Sequence, residues 1–568
     1  MLKVLTAGLL LAALFNFLVF NSQLGIGFSF FVVFINIAVL VLKDKDSKNS
    51  LLSYIFAGAS AGFAVLMSFR SNGLVQLIDF FSAVFFLSLN LYFSKSNLSF
   101  DFSFLKFFTA PLKSGLKFVE GIILSLTPKT WAEHSTQKHV ISALIRGILI
   151  GVPVLVVLFI ILSKADPVFE NITFSFLEDV WVRIIFSVII FVSALAVGVM
   201  KITEHESQKE IKSVTPGKEY ELLVILGGLA ILFGGFIFIQ FKYLFSNIGE
   251  RELLSLGIKS LTYSEYVRKG FFELLLAAVV SAGIVLYVLQ FIHKLKGSGK
   301  LLVQLFSSIV TLEVGMMLFS AAQRVFLYQT EHGLTRARIF GMFFLIWLGV
   351  LLTILLVKII KDLNNRLYLS LNIISTLLIL IAVNIINVDG LMTGGKNRPR
   401  VNDEIDYYYL ARLSPDAHQS WIPAILEAEK VYLALKDKQL TPEEYRIFYW
   451  SAGALDAIDS QVTYLEDKYG SLDRVSSRHA KLKKGMDPTY LKNEYKDKPL
   501  PESTYRMRKW QAFNMREYLA HEYIEENPEV FDKLPALTEG ISFIRSNVPQ
   551  EIISATTLDR STNPPLSN

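Results

Sequence analysis

The sequence predicts an all-α protein, a polytopic transmembrane helix bundle of about eleven spans with a C-terminal, mostly helical soluble domain. Three observations predict it. Apolar residues reach 52% with glycine left out, aromatics reach 13%, and mean hydropathy is +0.44, more greasy surface than one core absorbs. Apolar runs near the 20 residues that span about 30 Å of hydrocarbon recur along the first two-thirds of the chain. The lysines and arginines between those runs alternate between dense and sparse clusters.

The runs fall near 4–20, 24–42, 51–69, 73–93, 140–163, 180–200, 221–245, 270–292, 301–322, 338–359 and 367–387. The first lacks a small-x-small cleavage site and is followed closely by the second, so it reads as an uncleaved helix rather than a signal peptide. Between 98 and 127, Lys106, Lys113 and Lys117 interrupt apolar residues and Pro111 breaks the run; this segment reads as interfacial, lying on the membrane. The chain thus divides into N-terminal helices and interfacial segment (1–139), a transmembrane core (140–387), an extracytoplasmic helical domain (388–548) and a flexible tail (549–568).

Short loops rich in lysine and arginine stay cytoplasmic. One set of alternate loops carries Lys43, Lys45 and Lys48, then Lys95 to Lys138, then Lys201, Lys209, Lys212 and Lys218, then Lys294, Lys296 and Lys300, then Lys358, Lys361 and Arg366. The other set carries Arg70, Lys164, a group from Arg251 to Lys269, and Arg324, Arg336 and Arg338. A cell-membrane protein with its N-terminus cytoplasmic and its C-terminal domain outside follows. The net charge of +6 is therefore a topology signal and not a phosphate-binding patch, and no nucleic-acid partner is expected.

Small residues at helix spacing, Gly58 with Gly62, Gly147 with Gly151, and the pairs Gly227-Gly228 and Gly234-Gly235, are expected to let helices approach closely. After Asn387 the hydropathy collapses. Ser414-Pro415-Asp416 offers a helix start, and Thr441-Pro-Glu-Glu444 a capping box; helices are expected near 415–437, 441–468 and 503–526, with a solvated connection from Arg478 to Lys498.

Ionisable residues inside spans point to function or to interhelical ties. Asp79, Arg146, Arg183, Glu273 and Glu313 are the candidates. Glu313, Met317, Ser320, Arg324 and Tyr328 share one stripe of the ninth span. That stripe is either a structural seam or a polar groove opening outward.

The segment Leu261-Thr-Tyr-Ser-Glu-Tyr-Val-Arg-Lys-Gly-Phe-Phe-Glu-Leu274, after Tyr243-Leu-Phe245, resembles the signature of a bacterial membrane family known as domain of unknown function 4173, with its relative 4153. Ala165-Asp-Pro-Val-Phe169, Ser320-Ala-Ala-Gln-Arg324 through Tyr328 to Arg338, and Leu413-Ser-Pro-Asp-Ala417 after Asp406 and Tyr409-Leu410 are similar to it too. The likeness covers roughly 140–420, departs at His332 and at Asn387-Val-Asp-Gly390, and implies a multi-pass membrane protein without an assigned activity. Laid over the topology, it gathers Asp166, Tyr266, Arg268, Glu273, Glu313, Arg324, Tyr328 and Arg338 into a candidate polar cluster, all but the mid-span Glu313 at the outer boundary, where the C-terminal domain would dock.

Enzyme signatures fail. His521-Glu-Tyr-Ile-Glu525 starts like a zinc-protease helix, but a glutamate stands where the second histidine belongs; no phosphate-binding glycine loop and no G-x-S-x-G occur, and cysteine is absent. Asn171-Ile-Thr173 matches a glycan acceptor only as short patterns do by chance. No metal, cofactor or catalytic residue is expected. The expected partners are the lipid bilayer and an extracytoplasmic protein or envelope ligand. A scaffold or sensor ranks first among the functions, a transporter or permease using a groove around Glu313 and Arg324 second, a membrane-embedded enzyme third.

Overall fold

The computed structural model describes residues 2–44, 50–96, 104–125, 167–200, 218–244, 263–292, 295, 297–401, 404–471, 507–546 and 548. Among these, helices predominate and the only sheet is a two-stranded hairpin. Five helical stretches, Gly73–Lys95, Val182–Val199, Gly297–Gln323, Arg336–Lys361 and Asn365–Ile385, are long and apolar enough to cross a membrane. Shorter apolar stretches run over Lys3–Leu18, Ile26–Val41, Leu51–Leu66, Leu222–Gly235 and Ala277–Ile292. The run expected at 140–163, the Gly147–Gly151 pair, the Arg478–Lys498 connection and the tail beyond Pro549 lie outside the described residues.

The chain packs as two units. The first contains α1 (Leu2–Leu18), α2 (Ile26–Val41), α3 (Ser50–Leu66), α4 (Gly73–Lys95), α5 (Phe104–Ser125) and α6 (Pro167–Val199), joined by residues 460–471 and 507–531 from far along the chain. α2, α3 and α4 are tied by a buried polar ladder. Asn36 Nδ2 donates to Ser60 Oγ at 2.9 Å, Asn90 Nδ2 to Asn36 Oδ1 at 3.0 Å, and Ser53 Oγ to Asn90 Oδ1 at 2.7 Å. In hydrocarbon such side chains must find partners inside the protein, which selects one rotation of each helix. The Phe56 ring stacks on Phe86 and Phe93 beside the ladder. Gly58 and Gly62 do not make the close approach that their spacing predicts, because a Cβ at either would meet nothing within 4 Å; the serines on the opposite side of α3 carry the contact instead.

α5 continues through Pro111 as one helix instead of breaking there. It lies on α3, α4 and α6 through Phe107, which meets Phe56 and Phe85, and through Gly121, which sits against Ala196 and Met200. Its other side exposes Leu112, Leu116 and Ile123, an apolar stripe at helical spacing.

The second unit contains α7 (Lys218–Leu244), α8 (Tyr263–Ile292), α9 (Gly297–His332), α10 (Arg336–Lys361) and α11 (Asn365–Ile385), then α12 (Val388–Leu391), the hairpin of β1 (Arg400–Val401) and β2 (Glu404–Ile405), α13 (Tyr407–Ala411), a 3-10 turn at Pro415–Ser420, and α14 (Trp421–Leu435). α15 (Pro442–Tyr469) runs from this unit into the first, where α16 (Met515–Glu526) and α17 (Pro528–Phe531) follow; α18 (Leu534–Ser546) packs on α14 in the second. The core of its long helices is Leu, Val and Ile from α7 to α10. Gly227 and Gly234 on α7 face Phe306 and Glu313 on α9, seven residues apart on both, so the two helices run parallel.

Local capping chemistry is realised at one expected site and redirected at another. Thr441 and Glu444 form the reciprocal box, with the Glu444 N–H donating to Thr441 Oγ1 at 3.3 Å and the Thr441 N–H to Glu444 Oε2 at 3.0 Å. Ser414 makes no side-chain cap; its hydroxyl donates to Asp389 instead.

Candidate functional site

The most developed polar contact in the first unit joins the C-terminal region to the ends of three apolar helices. A helix leaves its last carbonyls and first N–H groups without intrahelical partners. Gln511 Nε2 donates to the Phe17 carbonyl in the last turn of α1 at 2.9 Å, and Lys509 Nζ to the Asn21 carbonyl just beyond it at 2.9 Å. Beyond the end of α3, Asn514 Nδ2 donates to the Arg70 carbonyl at 2.8 Å and the Met515 N–H to the Ser68 carbonyl at 3.0 Å. The Ile26 N–H, first of α2, donates to the Phe513 carbonyl at 3.1 Å. One short segment, Lys509–Met515, therefore closes the same end of α1, α2 and α3.

Close backbone approach makes this possible. A Cβ on Gly25 would stand 2.6 Å from the Ala512 carbonyl carbon, and one on Gly27 would stand 2.6 Å from Gln511 Cβ. We expect Gly25→Leu to displace the segment and cost about 1–3 kcal/mol as an overpacked contact, read as a lower melting temperature in detergent and faster proteolysis within residues 507–515. Unchanged melting and proteolysis would refute the contact.

Behind the segment lies a buried polar cluster built on α15 and α16. Lys468 Nζ meets Glu517 Oε2 at 2.7 Å, with side-chain exposures of 2% and 14%. Tyr469 Oη donates to the Asn514 carbonyl at 3.2 Å, and Tyr464 Oη donates to Gln23 Oε1, in the α1–α2 connection, at 3.0 Å. Burial, reinforced by the Glu517 charge, pushes both phenols above their ordinary range. His521 is buried under the Tyr469 ring with Nε2 3.7 Å from Glu525 Oε1.

The second unit has its own closure, where the α9–α10 connection meets the chain leaving α11. Arg336 Nε donates to Asp389 Oδ1 at 2.7 Å and its Nη2 to Oδ2, a two-pronged contact with a fully buried carboxylate. The Ser414 N–H donates to the same carboxylate at 3.1 Å, and the Arg336 N–H donates to Tyr409 Oη at 2.9 Å. Burial raises the Tyr409 phenol and the Asp406 carboxyl, although Asp406 Oδ1 accepts the Tyr409 N–H at 2.8 Å. Gly333, at φ +73, passes so close to the Arg398 carbonyl that no side chain fits there.

The eight residues expected as a cluster are placed unevenly. Asp166 lies outside the described residues. Tyr266 and Arg268, expected in a loop, lie with Glu273 in the first turns of α8, and Arg324 and Tyr328 lie in the last turns of α9. Both helices run past their apolar stretches, Ala277–Ile292 and Gly297–Gln323, because the residues beyond them are adequate helix formers. Arg338 lies in α10, where its Nη1 donates to the Gly333 carbonyl. Glu313 sits mid-helix, where a Cβ on Gly234 would stand 3.1 Å from its Oε1, and its stripe neighbours Met317 and Ser320 are buried. Arg336 and Asp389, which anchor the closure, are absent from the sequence-derived cluster. Asp389 was readable as the lone acid at the exit of the last span, two residues after Asn387.

Among the described residues, no group of three or more His, Asp or Glu is placed to hold a metal ion. What these arrangements do chemically is fasten: they fix polypeptide to helix ends.

The architecture is that of a helical membrane protein. The chain belongs to the family described as domain of unknown function DUF4153, whose model matches residues 57–423, from within α3 into α14. The match names the second of the two related families that the sequence resembles, and it reaches further toward the N-terminus than the resemblance does. No curated protein and no solved structure matches the chain.

Proposed function

We propose that this chain is a multi-pass cell-membrane protein of about eleven spans, N-terminus cytoplasmic, whose extracytoplasmic C-terminal region is a fixed platform for a protein or envelope component. It acts as a scaffold or sensor. The observation that carries the reading is the closure of α1, α2 and α3 by Lys509–Met515, which ties the C-terminal region to the bundle by backbone and buried side chains rather than by a loose linker. The asymmetry of lysine and arginine between alternate loops supports the orientation, and Lys95, which binds the Leu42 carbonyl and Asp44, belongs to the lysine-rich set.

Because the chain has no cysteine, single introduced cysteines report side and accessibility cleanly. In intact cells, Lys436→Cys should react with a membrane-impermeant maleimide and Lys43→Cys should react only after permeabilisation; the reverse pattern inverts the topology. In cells dependent on the protein, Gly25→Leu should abolish function while membrane insertion persists. Loss of function on Glu313→Gln, with Gly25→Leu neutral, would replace the platform by a transport reading.

A further inference from the structure

The Lys509–Met515 segment is built inside-out for a soluble domain. Its polar side chains Gln511 and Asn514 point inward and are 8% and 2% exposed, each spent on a helix-end carbonyl. Its largest apolar side chain, Trp510, points outward and is 51% exposed. The indole packs on Phe17 of α1 at 6.0 Å and on Phe30 of α2 at 6.4 Å, themselves 62% and 43% exposed. Those two rings begin the exposed apolar flanks of α1 and α2, which continue through Leu10 and Ile37.

Length points the same way. α1, α2 and α3 have 17, 16 and 17 residues, about 25 Å of helix at 1.5 Å per residue, short of the roughly 30 Å of hydrocarbon. The segment that closes their ends therefore lies within the thickness of the bilayer and its headgroup layer. Non-helical backbone is tolerated at that depth only when its polar groups are satisfied by protein. Here the Ala512 N–H donates to the Lys509 carbonyl at 2.9 Å and the Phe513 N–H to the Trp510 carbonyl at 3.1 Å.

We propose that Lys509–Met515 is an interfacial membrane anchor, with Trp510 seated in the headgroup layer of the lipids that surround α1 and α2. Tryptophan suits that layer, since its ring is apolar and its N–H seeks an acceptor. No protein acceptor among the described residues takes the Trp510 N–H. Lipid is the occupant because the patch is continuous with the flanks of apolar helices, so the inference rests on the membrane reading above.

The test uses Trp510→Cys as the sole cysteine, carrying a nitroxide, with the full chain in nanodiscs of phosphatidylethanolamine and phosphatidylglycerol. Collision with oxygen relative to a water-soluble nickel complex should be severalfold higher at Trp510→Cys than at Glu525→Cys on α16, and lower than at Leu10→Cys. A Trp510→Cys label that matches Glu525→Cys overturns the anchor, leaving the patch free for a protein partner. A Leu10→Cys label that reads as aqueous overturns the membrane reading itself. Should Trp510→Cys not fold, quenching of the parent by brominated lipids is compared with that of Trp510→Phe. Loss of a quenchable component supports the anchor, and identical quenching overturns it.

Discussion

Replacing Arg336 by methionine will destabilise the second unit by about 3 kcal/mol, the lower end of the range for breaking a buried ion pair. The reason is asymmetry: Asp389 is 0% exposed while the arginine is 34% exposed, so the substitution takes a two-pronged cation away from a carboxylate that water cannot reach. Ser414, whose hydroxyl and N–H both donate to the carboxylate, cannot replace the positive charge of the fork. Arg336→Lys should recover only part of the loss, because an ammonium cannot make two parallel contacts. Thermal unfolding in detergent reads the effect, and limited proteolysis should show residues 388–420 opening first. If Arg336→Met melts with the parent protein, the closure contributes nothing.

Lys468→Met should be at least as damaging, at about 3–5 kcal/mol, because both partners of this pair are buried. It leaves Glu517 accepting from Tyr469 at 3.3 Å after the loss of the cation at 2.7 Å. Adding Glu517→Gln to Lys468→Met should restore much of the stability by removing the stranded charge; a double variant as unstable as the single one would show that packing of the lysine stem, not charge, holds the cluster. The raised phenols of Tyr464 and Tyr469 add a pH dependence. A group whose pKa is higher folded than unfolded stabilises below its unfolded value, near 10 for tyrosine, and loses that stabilisation as pH rises further. Alkaline titration should therefore loosen the contact of α15 with α16 sooner in the parent than in Tyr469→Phe, as hydrogen exchange of α16 would report.

The helices were legible because hydrocarbon imposes a length and a composition that a window of residues carries by itself. The apolar runs correspond to helices wherever the structure describes them, and Thr441 with Glu444 announced a cap whose donors and acceptors are three residues apart. The closures were not legible, because their members are neighbours only in space: Arg336 and Asp389 are 53 positions apart, Asn514 and Arg70 are 444. Gly25 and Gly27 carried a faint signal as glycines flanking a helix start. Gly58 and Gly62, with the stronger spacing, proved open, since spacing says which residues share a side of a helix but not whether another helix lies there. Ser414 was read as a local cap because its neighbours Pro415 and Asp416 fit that chemistry; Asp389, buried and charged, competes better for the hydroxyl.

The bond from Gln511 to Phe17 links positions 494 apart, and this orders the protein's biogenesis. The groups that satisfy these ends of α1, α2 and α3 are synthesised more than 400 residues after the helices themselves. Until Lys509–Met515 is made, these helices sit in the bilayer with backbone carbonyls exposed to lipid or borrowed water, and they depend on insertion machinery or on one another. A nascent chain stalled before Lys509 should therefore be a substrate for membrane quality control, however complete its apolar helices are.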